Sequence, residues 1–389
     1  MRNLIVLMGF SVLMGSAVAQ GGSPIEVDLD AETIILLAPI SDDDGADTQS
    51  VLGEISLNAK AEKILDSGTR IRARTSLRVQ NDHPERRGAT GGFGAIASAP
   101  VGAFSGLSAG PVRDQSDVRV RFETAYLQVD GGYGELRIGK DRGVAARFHE
   151  GPKSSLSHAR LDSTLLDPSG LSTIRTRHDL TGPSLKVSYA SPRLLGLRAG
   201  VSFTPDANAD GLDRRPAAGT GGGAPDTRNA VEMALNGTRK LRDSGLRVDA
   251  ALAWSTAEVT DRAGLAPYAR IETVSAGTRV EKDEWTLGAS WLSSDNGLAD
   301  SDYSAWSVGA ARPLYGIDWA LNYGEAEDKG AQIDSSSWRF GGAYDIADNT
   351  SIGVAYTRDS VENSFKTQQA QAIVVEITLS AEILKITGN

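Results

Sequence analysis

A two-residue rhythm constrains this chain more than any other feature. Between residues 53 and 380, short segments recur in which apolar and polar side chains alternate. A period of two belongs to a strand with one apolar face. In 53–62 (GEISLNAKAE), Ile55, Leu57, Ala59 and Ala61 share one face, and Glu54, Ser56, Asn58, Lys60 and Glu62 share the other. In 69–79, Ile71, Ala73, Leu77 and Val79 lie opposite Arg70, Arg72, Arg74, Ser76 and Arg78. The pattern returns in 246–254, 285–291, 317–324, 338–344 and 373–380.

The connections alternate as well. Short ones (66–68, 130–132, 242–245, 281–284, 345–349) are interleaved with long ones rich in Gly, Pro, Ala or Asp (81–116, 142–172, 206–227). Short turns on one side and long loops on the other is the layout of a barrel that crosses an outer membrane. The pattern predicts an all-β fold, a transmembrane antiparallel β-barrel of about 16 strands, each of roughly ten residues.

Composition agrees. Charged residues make up 23% of the chain and mean hydropathy is −0.23. No internal run of ~20 apolar residues provides a transmembrane helix. A spanning strand meets lipid only at every second side chain, so its average hydropathy stays low. Trp254, Trp285, Trp291, Trp319, Trp338, Tyr323 and Tyr344 all fall on the apolar face near strand ends, as interfacial girdles do. A soluble sandwich or propeller also alternates, but there is no blade-length repeat here.

Arg2, the apolar stretch 4–14 and Ala17-Val18-Ala19 read as a secretory signal peptide, residues 1–19, leaving 20–389 as one barrel domain. Its removal takes the formal charge from −10 to −11, since it deletes one Arg and no acid. The chain has no cysteine, which excludes disulfides and cysteine metal sites. The acidic balance argues against a nucleic-acid partner. No motif calls for a cofactor.

Two segments carry a family resemblance. Residues 121–140, RFETAYLQVDGGYGELRIGK, resemble a porin strand ending in Ala-Tyr, a Gly-rich turn, and a strand ending in Gly plus a basic residue. Residues 186–206, KVSYASPRLLGLRAGVSFTPD, resemble the strand, Ser/Thr-Pro-Arg turn and strand of alphaproteobacterial general porins. The resemblance implies a homotrimer of 16-stranded barrels in the outer membrane, surrounded by lipid and lipopolysaccharide. It also implies passive diffusion of small hydrophilic solutes and ions, and a loop after the fifth strand, about 142–172, that folds inward and narrows the channel. Porins of this kind usually end in an aromatic residue, whereas this chain ends ILKITGN.

Within that frame the arginines matter most. Arg70, Arg72, Arg74 and Arg78 share one strand face, and lipid rejects such charges, so they are expected to face water or acids. Arg119 and Arg121 are expected on the inner face two strands further round, with Arg175 and Arg177 near the returning end of the inward loop. Glu150, Asp162 and Asp167 are the expected loop acids opposite this basic wall. Such a wall orders water and sorts solutes by charge, here with a weak preference for anions. A channel selective for anions or sugars is the alternative, though lipid-facing Trp residues leave few aromatics for stacking on sugars. An outer-membrane barrel enzyme is a more distant one. His178-Asp179 is the one pair suggestive of hydrolase chemistry, but no G-x-S-x-G is present, and neighbours in a strand point to opposite faces. Asp42–Asp44 reads as a solvated acidic loop rather than a cation cage.

Overall fold

The computed structural model describes residues 23–86, 94, 96, 99–110, 118–208, 212, 223–261, 264–364 and 366–388. Residues 1–19, expected to be a signal peptide, lie outside them. Sixteen strands form one closed antiparallel sheet: β1 (Ile25–Asp44), β2 (Val51–Ile64), β3 (Arg70–Asn81), β4 (Arg119–Gly131), β5 (Gly134–Asp141), β6 (Ser184–Ala190), β7 (Leu197–Asp206), β8 (Pro225–Leu241), β9 (Leu246–Asp261), β10 (Ile271–Lys282), β11 (Trp285–Ser294), β12 (Tyr303–Leu314), β13 (Ile317–Asp328), β14 (Ile333–Ala347), β15 (Thr350–Asn363) and β16 (Thr367–Gly388). Every strand pairs with its neighbours in sequence, and β1 closes the ring on β16. Closure gives each strand two partners, which a hydrocarbon surround demands because it offers backbone groups no hydrogen bonds.

Alternation sets the faces. Ile55 and Leu57 are 48% and 40% exposed, whereas Glu54 is only 4% exposed. Apolar side chains therefore point outward and polar ones inward, inverting a soluble protein. The aromatics follow: Trp285, Trp291, Trp319 and Trp338 are exposed on the outer face. Trp254 lies opposite the exposed Met233 and Val274. On adjacent strands Tyr323 packs against Trp306 (5.5 Å) and Trp338 (4.7 Å), and Trp319 stacks on Phe340 at 5.7 Å.

One end of the barrel carries tight turns such as 132–133, 283–284 and 315–316; the other carries 82–118, 142–183 and 207–224. Long loops mark the extracellular end of such barrels. Gly68 and Gly316 hold φ near +78° in two of the tight turns, a conformation that costs glycine little. The segment between β5 and β6 starts with a single helical turn, Val144–Arg147, and runs on past Ser172 to 183.

Two expectations need correction. Asp42–Asp44 is exposed but is not a loop; it closes β1, with Asp42 opposite Gln371. Arg119 and Arg121 sit on the strand directly beside β3, not two strands further round, and Arg121 is opposite Arg78. The pairing shifts between Ser76 and Leu77, so Glu123 is an extra residue in β4. This bulge lets Glu123 reach Arg78 at 3.8 Å, placing an acid where two guanidiniums would otherwise face each other.

Buried apolar side chains gather under the long loops, not in a central core. Phe104, Leu107, Leu161, Leu171, Ile174 and Leu180 cluster with inner-face residues including Tyr303, Ala305 and Leu292. Leu156 and Leu166 pack on Ile34, Leu36, Leu52 and Val374 of β1, β2 and β16.

Candidate functional site: the lumen and its inward loop

Segment 142–183 crosses the barrel interior and returns. Its two ends are clamped by Lys186 of β6, whose Nζ donates to the carbonyls of Asp141 and Gly182 (2.6 Å each) and to Thr181 Oγ1 (2.9 Å). Outward bound, Val144 N donates to Ser202 Oγ (2.9 Å), Arg279 donates to the Gly151 carbonyl (3.2 Å), and Asn322 donates to the Lys153 carbonyl (2.8 Å). The tip reaches the far wall. There Glu376 of β16 accepts from Ser157 N (2.7 Å), Ser157 Oγ (2.6 Å), His158 N (2.9 Å) and Ala159 N (3.1 Å). On the way back Thr173 meets Ser335, Arg175 N meets the Tyr303 hydroxyl, Thr176 meets Ser290, and Thr181 meets Glu232.

The seat of this loop is made by absence of side chain. A Cβ at Gly277 would collide with the Glu150 carbonyl. At Gly288 it would lie 2.5 Å from Pro152 Cα, at Gly309 2.8 Å from Pro152 Cβ, and at Gly324 2.8 Å from Leu161 Cδ2. At Gly353 it would sit 2.9 Å from both Leu156 Cδ2 and the Ser155 carbonyl. These glycines stand on the inner faces of β10, β11, β12, β13 and β15, and Ser290, Ser307 and Ser337 nearby are small as well. A close approach of two backbones needs such positions. The sequence contains the signal, as Gly and Ser at inner positions of successive strands, but it becomes readable only once the strands are aligned.

The opposite wall carries long charged side chains. Arg70, Arg72, Arg74 and Arg78 all point inward from β3. Their acid partners come from β2: Arg72 pairs with Glu62 at 2.8 Å, Arg70 with Glu62 at 3.3 Å, and Arg78 with Glu54. Arg74 is exposed to the lumen and makes no ion pair among the described residues. Arg119 donates to Gln80 (2.9 Å) and Asp82 (3.3 Å), while Arg121 donates to the Val120 carbonyl (3.1 Å). Beyond β4, Arg137 covers the Tyr126 ring at 4.8 Å, and Arg198 pairs with Glu135 at 3.0 Å.

The loop acids take other partners. Glu150 pairs with Arg279 of β10 at 3.4 Å. Asp162 is 3% exposed and binds Arg160 (3.1 Å) and Thr176 Oγ1 (3.1 Å); burial opposes its ionisation, but Arg160 and His149 hold its pKa well below the usual carboxylate range. Asp167 has no exposed surface and accepts from Ser172 N and Ser172 Oγ (3.0 Å each). Burial, then the nearby carboxylates of Asp359 and Asp82, push its pKa up. Arg175 and Arg177 stand on the returning limb near Asp179, which pairs with Arg142 at 3.4 Å. Fully buried His178 contacts the hydroxyls of Ser275 (3.0 Å) and Ser255 (2.6 Å), and burial takes its pKa down to about 3, so it stands as a neutral strut. Among the described residues no group of three His, Cys, Asp or Glu is placed to hold a metal ion.

A closed 16-stranded barrel with polar inner walls and a loop seated across its interior is channel architecture. Comparison with solved structures finds the same fold. OprB of Pseudomonas putida matches with a TM-score of 0.58 at 9% identity, over 92% of this chain and 94% of that one. OmpF of Salmonella typhi, in complex with daunomycin, matches at 0.56 and 12% identity, over 92% and 98%. An anion-selective porin from Comamonas acidovorans matches at 0.54 and 11% identity, over 93% and 99%. No curated protein matches the sequence. The family model for Gram-negative porins matches residues 5–364. The chain therefore belongs to the Gram-negative porin family, and it is an outer-membrane β-barrel channel for passive diffusion.

Proposed function

We propose that small hydrophilic solutes cross this channel between the arginine-bearing wall of β3–β5 and the free edge of the inward loop, with a weak preference for anions. The observation that carries this reading is the fate of the acids. Asp162 and Asp167 are spent inside the loop's own hydrogen bonds and Glu150 is paired with Arg279, whereas Arg74 is exposed on the facing wall. Selectivity is set where the passage is narrow and water screens least, so a net acidic chain does not imply a cation channel. The mature chain is read as residues 20–389, after loss of the signal peptide. Three copies are expected to pack through outer faces that are poorer in aromatics than the β11–β14 girdle. Lipid and lipopolysaccharide are the expected surroundings.

Planar-bilayer recordings in a salt gradient test the reading. The reversal potential is expected on the anion side, shifted modestly. A strong cation preference would overturn it.

A further inference from the structure

The returning limb of the inward loop is held at 167–172 by a cluster of buried carboxylates. Asp167 N donates to Asp82 Oδ1 (2.8 Å), and the Pro168 carbonyl accepts from Gln49 N (2.9 Å), which ties the limb to the β3–β4 connection and to the turn after β1. The third anchor is β15. Ser169 Oγ lies 3.1 Å from Asp167 Oδ1 and 2.8 Å from Asp359 Oδ2, and all three residues are buried. A hydroxyl has one hydrogen. With both carboxylates ionised, one of these two contacts would hold a hydrogen and the other would set lone pairs against lone pairs. Asp359 has the surroundings of an ion: Arg339 lies 2.8 Å from its Oδ1 and donates to its Oδ2 at 3.0 Å, and Ser337 Oγ donates to its Oδ1 at 2.6 Å. Asp167 has hydroxyl and amide partners instead, Ser169 Oγ, Ser172 N and Ser172 Oγ. The cations near it are turned elsewhere. Arg86 and Arg119 pair with Asp82 at 2.7 and 3.3 Å, and both ring nitrogens of His83 are engaged, with the Asp47 carbonyl (2.7 Å) and Glu85 N (3.0 Å).

We propose that Asp167 holds a proton while the loop is seated, and that the chain from the Asp167 carboxyl O–H to the Ser169 O–H to the Asp359 carboxylate latches the returning limb to β15. Every contact of Ser169 Oγ is then satisfied: it accepts from Asp167 and from Leu171 N (3.2 Å), and it gives its one hydrogen to Asp359. When the limb leaves the wall, Asp167 meets water and releases that proton to it. Burial, then the charges of Asp359 and Asp82, favour the neutral carboxyl, and the charges of Arg86 and His83 oppose it without reversing it. The seated state thus binds a proton that the released state gives up. The latch is complete below the ordinary aspartate value of 3.8, weakens as pH climbs from there to the raised seated value, and is constant above it. The loop is tightest in acid.

Hydrogen exchange of the folded protein in detergent tests the latch. The quantity read is the exchange rate of the loop in wild type divided by that in Asp167→Asn, so that the pH dependence of exchange itself cancels. The amide keeps the shape of the side chain and carries a donor for Ser169 that does not titrate. The ratio is expected to grow as pH rises above 3.8, by up to about tenfold per pH unit for one proton, and then to level. The rise between 3.8 and 6.5 is separate from the contact of His158, which titrates above 6.5, so His158→Asn should retain it. A ratio that does not change with pH overturns the latch, as does a rise below 6.5 that His158→Asn abolishes. Should Asp167→Asn not assemble, Ser169→Ala takes its place. It removes the acceptor of the Asp167 proton and no charge, so loop exchange relative to wild type should level at a lower pH; an unmoved profile overturns the latch equally.

Discussion

The two halves of the lumen wall are built from opposite kinds of residue. On β10–β15 many inner positions under the loop are Gly, Ser or Ala, and there the loop lies directly on the sheet. On β1–β5, apart from the stretch where Ile34, Leu36 and Leu52 receive the loop tip, they include Glu26, Asp28, Lys60, Glu62, Arg72 and Arg74. The difference teaches that inner-face side-chain volume maps where the loop can dock. Backbone needs small neighbours to dock, and long charged side chains need water or each other.

The seat is the easier wall to break. Gly288→Val places a branched side chain where even a Cβ lies 2.5 Å from Pro152, so loop and wall cannot both keep their positions. Overpacking of this kind costs about 1–3 kcal/mol, enough to unseat a loop while the closed sheet survives. Single-channel recordings should show an increased and noisier conductance. An unchanged trace would mean that the loop is not held by the glycine column.

Glu376→Ala attacks the same seat from the far wall. It strips the partner from four donors at the loop tip, each charge-assisted bond being worth about 1.5–3 kcal/mol. Faster proteolysis within 155–165 is expected in detergent, with the barrel still resistant. Glu376→Gln should be milder, since its carbonyl still accepts.

The charged wall answers to a different measurement. Arg72→Ala with Arg74→Ala should widen the passage and move the reversal potential toward cations. The permeability ratio should change about twofold, since exposed charges act over roughly one Debye length. If the potential stays where it was, the β3 arginines are not the filter.

The smallest effect is expected from pH. His158 faces Glu54 of β2, Arg78 of β3 and Glu376 of β16. Burial works against its charged form, but the hydrogen bond and charge of Glu54 outweigh it, and the pKa is raised from 6.5. A raised folded value means the contact stabilises the seat fully below 6.5 and is lost as pH climbs through the folded value. Current noise should therefore grow as pH rises above 6.5 and through the raised folded value, and His158→Asn should flatten that dependence.

The barrel was largely legible in the sequence, because lipid enforces alternation on every strand and leaves little freedom of register. The faces of Ile55, Leu57, Trp285 and Trp338 follow directly from it. What escaped was set by long-range pairing. The bulge at Glu123 shifts the inner face of β4 by one residue without leaving a gap in the sequence pattern. The loop acids were legible as acids, but which of them stay in water depended on backbone N–H groups such as that of Ser172, and a sequence does not display those. Lys186 and Glu376, which clamp the ends and the tip of the loop, look in sequence like any inward polar residue. Their partners lie on a segment without periodicity, so no pattern points to them.

The central claim is that solutes run along the arginine wall while the loop seals the other. The chain has no native cysteine, so single cysteines can be placed at will. Arg74→Cys on the exposed wall and Ser307→Cys, at a position with no exposed surface, form the pair to compare in one bilayer experiment with a cationic methanethiosulfonate. The expected result is rapid modification and a stepwise conductance change at position 74, with none at 307. Modification at 307 with none at 74 would mean that the open passage lies on the other side.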